Sequence, residues 1–149
     1  MIGLLQRVSE ASVEVDGECV ATIGRGLLVL IGVERGDGSS EAARLLDRLV
    51  SFRVFEDEAG RMNLNVREVG GALLLVPQFT LVADTAKGNR PGFSRAAEPA
   101  HGKALFEELA ASARTQGIAV AAGVFGATMR VALCNEGPAT FWLQVTPQL

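Results

Sequence analysis

Histidine occurs once in this 149-residue chain, tyrosine not at all and cysteine twice, and each scarcity removes a class of chemistry. A nucleophile assisted by histidine could rest only on His101, which stands beside Gly102 at the start of a helical pattern, where a lone histidine is most simply a surface residue. A histidine-built zinc site is excluded, and no acidic cluster at metal-ligand spacing replaces it, so neither metal nor organic cofactor is expected. Cys19 and Cys134 lie far apart in strand-like patterns and not as a close C-x-x-C pair, so two buried free thiols are expected. The longest apolar run, Gly26 to Val33, stops at Glu34 and Arg35, short of the ~20 residues that cross a bilayer. The opening MIGLLQRVSE has none of the parts of a secretory signal, so the cytoplasm is the expected compartment. Gly24-Arg25-Gly26 carries neither a dinucleotide fingerprint nor a phosphate-loop lysine. With 14 Lys and Arg against 17 Asp and Glu the net charge is −3, so DNA is not an expected partner and any RNA contact is local. If the chain is an enzyme, its chemistry comes mainly from backbone groups, hydroxyls or the substrate itself.

What is present is patterned throughout. With 48% hydrophobic and 21% charged residues, positions 1–149 read as one globular domain, long enough to bury roughly two thirds of its unfolded surface. Apolar alternation predicts two strands, Ile2 to Val8 and Ala11 to Val15, with Asp16-Gly17 turning tightly into a third over Cys19 to Ile23. Leu27 to Val33 is apolar at both alternations, as in a strand covered on both faces. Ser39 or Ser40 is the expected cap of a helix from Glu41 to about Ser51, with Ala42, Leu45, Leu46, Leu49 and Val50 on its inner side. Arg53 to Phe55 and Ala72 to Val76 read as further strands. Glu98 and Pro99 open a second helix ending near Gly117, with Leu105, Phe106, Leu109 and Ala113 inward. Met129 to Cys134 and Thr140 to Val145 predict two closing strands. The fold class is therefore mixed α/β: a mostly antiparallel, curled or barrel-like sheet with two flanking helices.

Three segments hold residues that this patterning does not require. Val76-Pro77-Gln78-Phe79-Thr80-Leu81 ends a buried strand with a proline, an amide, an aromatic ring and a hydroxyl in succession. Asp84 to Arg95 has no period and carries Lys87, Arg90 and Arg95, a long basic loop of the kind that tends to be functional. Asn135-Glu136-Gly137-Pro138-Ala139-Thr140 joins two strand patterns through a Gly-Pro bond. Taken alone, a plain strand end and a plain hairpin turn account for the first and last of these.

The whole ordered series says more. QRV (Gln6 to Val8), ASVEVDGE (Ala11 to Glu18), GLLVLIGVE (Gly26 to Glu34) and RVFEDE with the following Gly and MNL (Arg53 to Leu64) lead to QFTL (Gln78 to Leu81). The basic segment from Ala83 to Ala97, GVFGA with Met129, and Asn135 to Thr140 complete it. From end to end the chain resembles the bacterial-type D-aminoacyl-tRNA deacylase family. Two positions depart from that pattern: Pro77 stands where the family usually has serine, which removes a hydroxyl and an N–H, and Gly92 stands in an RPGF segment where RPSF is usual.

The resemblance implies a homodimer that acts on the acceptor end of aminoacyl-tRNA, with two active sites at the subunit interface. Gly137 and Pro138 would form a Gly-cisPro pair entering the partner's pocket, their carbonyls accepting hydrogen bonds from the substrate's α-ammonium. An L side chain would then collide with backbone, whereas a D side chain, or glycine with none, is admitted. A neighbouring ribose hydroxyl can assist water on an already activated ester, which suits a chain poor in acid–base residues. The N–H groups around Phe79 and Thr80, after Gln78, are the expected oxyanion donors, and Thr80 is the alternative nucleophile. Arg7 is expected to support the Gly-Pro loop across the interface, Met129 to pack nearby, with Pro77 and Asn135 as further supporting positions. Lys87, Arg90 and Arg95 are candidates for tRNA phosphates. Pro77 is shared with a sister group acting on L-alanyl-tRNA, in which the Gly-Pro bond would be trans, and a non-catalytic tRNA-end binding module is the alternative from another class.

Overall fold

The computed structural model describes residues 1–148. β1 (Ile2–Val15) is one strand where alternation suggested two. The break at Ser9-Glu10 marks register shifts against the neighbouring strand Arg130–Gln144, not a strand end. Asp16 and Gly17, at φ of 51° and 79°, turn the chain into β2 (Glu18–Ile23), a conformation that a two-residue hairpin requires. β3 (Gly26–Gly32) keeps the same register, since Ala11 faces Ile23 and Val8 faces Gly26. β2 and β3 therefore lie end to end along one side of β1.

β4 (Phe55–Glu56) and β5 (Met62–Leu64) form a small separate hairpin. β6 (Ala72–Pro77) runs parallel to β3, and β7 (Val120–Ala122) parallel to β6. β8 (Arg130–Gln144) pairs antiparallel along the other side of β1, from Ile2 with Gln144 to Glu14 with Arg130. It is a single strand that bulges between Asn135 and Thr140, so these residues are not the hairpin turn that two closing strands would need. The order β2-β1-β3-β6-β7 with β8 beside β1 gives the expected mixed, curled sheet.

The uniform apolar runs of β3 and β6 follow from burial on both faces. Leu27, Val29, Leu73 and Leu75 point to the main core with α1 (Ser39–Ser51) and α2 (Pro99–Thr115), while Leu28, Leu74 and Val76 join Val8, Val13 and Ile23 in a second core within the curl. Leu45, Leu46 and Leu49 from α1 and Leu105, Phe106 and Leu109 from α2 cover the outer face. Each such side chain contributes about 1.5–3 kcal/mol on burial. α1 starts one residue earlier than a serine cap predicts: its N-cap is Gly38, whose N–H donates to the Glu41 carboxylate at 2.8 Å. Cys19 and Cys134 are exposed, contrary to the expected burial, because they sit on the outer faces of β2 and β8, which nothing in this chain covers. No described helix is long and apolar enough to cross a membrane.

Candidate active site

The catalytic candidates stand where β6 ends. Pro77 pairs with Ile31 at the last rung of the parallel ladder, and its missing N–H costs no bond that the turn relies on, because the Gln78 N–H reaches the Ile31 carbonyl at 2.7 Å. The chain then winds into a short 3-10 helix, Phe79–Val82, closed by the Leu81 N–H on the Gln78 carbonyl at 3.2 Å. At the start of such a turn the N–H groups of Phe79 and Thr80 have no carbonyl of the turn behind them, so they remain donors for a ligand. The Gln78 side-chain amide donates to the Thr80 hydroxyl. That partner orients the hydroxyl but cannot take its proton, which argues against Thr80 as an activated nucleophile.

Two cavities flank this turn and share Pro77, Gln78, Phe79, Phe125 and Gly126 in their walls. One, about 260 Å³, is apolar and runs under Ile31, Val33 and Phe106. The other, about 400 Å³, runs along Thr128 and Met129. Met129 is seated over Gly123, where a Cβ would come within 2.8 Å of its sulfur. Phe125 was not singled out as a site residue in the sequence, although it lies in the GVFGA landmark.

The Gly-Pro segment is a bend in β8, with Gly137 at φ 129° and the Gly137–Pro138 peptide bond cis. Asn135 ties the bend at both ends: its Oδ1 accepts the Ala139 N–H at 2.9 Å and its Nδ2 donates to the Thr140 hydroxyl at 2.8 Å. Arg7 crosses beneath, donating to the Glu136 carbonyl at 3.1 Å and the Val54 carbonyl at 2.7 Å. Arg7 thus holds the loop of its own chain. Glu136, Gly137 and Pro138 are exposed. β1 and β3 separate β8 from β6 in the sheet, roughly 14 Å at ~4.8 Å per strand. None of the described cavities joins Gly137 to the Gln78 turn of the same chain.

The basic loop is closed at its base, where Asp84 and Gly92 exchange main-chain hydrogen bonds of 2.7 and 2.9 Å. Lys87 and Arg90 are exposed on it. Arg95 is not a free cation: it pairs with Glu34 at 2.8 Å. Glu34 also meets the Met1 ammonium at 3.0 Å, and that ammonium meets the buried Asp37 at 2.8 Å. Burial raises the Glu34 pKa, but hydrogen bonds from Arg95, the Met1 ammonium and Gln144 outweigh it and hold the carboxyl below its ordinary 4.5. A lowered folded-state pKa means stability that is present above the ordinary value and lost as pH falls through the folded one. We expect Glu34→Gln to flatten the acid side of the melting-temperature profile between about pH 7 and pH 3; a wild-type slope retained in the variant would contradict this. His101 has a structural role consistent with its scarcity, its Nε2 lying 2.7 Å from the Asp37 carbonyl oxygen.

The curled sheet thus ends in a turn of main-chain donors flanked by two cavities, one of them apolar. Comparison with known proteins places the chain: it belongs to the family described as D-Tyr-tRNA(Tyr) deacylase, whose model it matches over residues 4–144. It is similar to the D-aminoacyl-tRNA deacylases of Thioalkalivibrio sulfidiphilus, 61% identical over 99% of both chains, and of Alkalilimnicola ehrlichii, 60% identical over 99% of this chain and 98% of the relative. Among solved structures it resembles a c-Myc DNA Unwinding Element Binding Protein, with TM-score 0.93 and 34% identity over 99% of this chain and 100% of the other. A probable eukaryotic D-amino acid tRNA deacylase shares the fold, with TM-score 0.78 and 19% identity over 95% of this chain and 98% of that one.

Proposed function

We propose that this chain hydrolyses the ester of D-aminoacyl-tRNA and of glycyl-tRNA, releasing the free amino acid, as a homodimer acting in the cytoplasm without a metal or organic cofactor. The observation that carries this reading is the separation of two built parts within one chain. One is a turn at Phe79 and Thr80 that offers main-chain donors. The other is an exposed bend at Gly137 and Pro138, braced from below by Arg7 and Asn135, that faces no cavity containing that turn. A second copy offering its bend to the first copy's turn completes both.

In that arrangement the Gly137 and Pro138 carbonyls accept the α-ammonium of the amino acid and fix the Cα, so that the side-chain direction decides admission. An L side chain meets main chain and a D side chain leaves toward solvent. The ester carbonyl lies toward the Phe79 and Thr80 N–H groups, which stabilise the developing oxyanion. Water attacks with help from the neighbouring ribose hydroxyl, so no side-chain base is needed. Lys87 and Arg90 meet phosphates of the acceptor end.

Turnover of D-tyrosyl-, glycyl- and L-alanyl-tRNA by the purified protein tests the proposal. The first two esters should be cleaved and the third spared. Cleavage of the L-alanyl ester alone would reverse the choice in favour of the reading that Pro77 invites, and binding of all three without ester loss would leave a tRNA-end binding module.

A further inference from the structure

Phe79 and Phe93 are 57% and 37% exposed, and their rings meet at 5.1 Å between centroids, tilted by 53°. A single exposed aromatic is ordinary, but a packed and exposed pair leaves apolar area in water that folding does not use. Phe93 directly follows Gly92, so the closed base of the basic loop holds it against Phe79. It lines neither cavity beside the Gln78 turn, so whatever its ring touches lies beyond the group bound there. All residues from Asp84 to Arg95 are exposed, and among the described residues neither Lys87 nor Arg90 has an ion-pair partner. An aromatic face thus stands on a loop with uncompensated cations, in a chain whose net charge is −3. This combination suits unpaired nucleic acid, where rings take the base faces and cations take the phosphates; a paired helix offers no free base face.

We propose that Phe93, backed by Phe79, stacks on an unpaired nucleobase preceding the terminal adenosine of the RNA substrate, with Lys87 and Arg90 toward its phosphates. This site rests on the tRNA-ester reading above and extends it by a nucleotide-binding position outside the ester pocket.

The test uses the full chain with Phe93→Ala, Phe93→Leu and Phe93→Trp, on D-tyrosyl-tRNA and on D-tyrosyl-adenosine, which lacks the preceding nucleotides. Phe93→Ala and Phe93→Leu should raise KM for the tRNA ester about tenfold with kcat retained, and leave the adenosine ester unaffected. Phe93→Trp should stay near wild type, because it keeps a π face. Equal losses on both esters would make Phe93 a packing support for Phe79 and overturn the proposal. So would wild-type behaviour of Phe93→Leu, or a changed sedimentation coefficient showing that the ring belongs to a subunit contact. Binding of uncharged tRNA by the same proteins needs no ester cleavage: weakening by Phe93→Ala supports the site even if the wild type cleaves neither ester, and unchanged binding overturns it.

Discussion

Gly137→Ala is expected to lower D-aminoacyl-tRNA hydrolysis by roughly 100-fold while the protein stays folded, since a displacement of about 1 Å at a positioning group is enough for such a loss. The added Cβ would lie 2.8 Å from the Arg7 guanidinium and 3.1 Å from the Ala139 main-chain nitrogen, at a φ of 129° that side chains rarely adopt. Arg7 is a flexible end and can retreat, but it would give up its bond to the Glu136 carbonyl in doing so. Ala139 cannot move without releasing Asn135. Glu136, Gly137 and Pro138 are exposed, so melting temperature should fall by only a few degrees while kcat/KM collapses. Wild-type kinetics in a folded Gly137→Ala protein would remove the bend from the mechanism.

Gly26→Ala should have the largest effect on stability of any single methyl added to this chain. Gly26 opens β3 against Ala72 of β6, and a Cβ there would overlap the Ala72 carbonyl oxygen and sit 2.7 and 2.8 Å from its nitrogen and carbonyl carbon. Every obstacle is main chain, so no rotamer change relieves it, unlike the case of Gly137. The parallel β3–β6 ladder would have to part at its first rung. We expect a loss of at least about 3 kcal/mol, or about 10 °C in melting temperature for a domain of this size. The check is a thermal or urea melt of the two purified proteins; a shift under about 2 °C would show that the ladder accommodates the methyl.

The sheet was legible where burial is two-sided. Leu27 to Val33 and Ala72 to Val76 read as strands because every residue but Gly32 lies in or packs against one core or the other. β1 and β8 read as broken because alternation lapses at their bulges, and bulges depend on the partner strand rather than on local sequence. β7 passed unnoticed for lack of length, at three residues. Cys19 and Cys134 misled because an apolar-looking alternation gives a strand but not which face is covered. Gln78-Phe79-Thr80 and Gly137-Pro138 stood out through family likeness, and by position they proved to be a turn of free donors and a braced bend. Arg95 shows the opposite limit. Its partner Glu34 is 61 residues away, so the sequence displayed a cation while the fold displays a neutralised one.

The pairing of Ile2 with Gln144 also sets the order of events in synthesis. β8 closes against a strand made long before it, so that side of β1 stays unpaired until β8 has been synthesised. Long-range pairing of this kind is slow to form, and the waiting edge is a template for wrong partners. β8 therefore acts as a latch on β1, and the bend that this latch carries is in place only once it has closed.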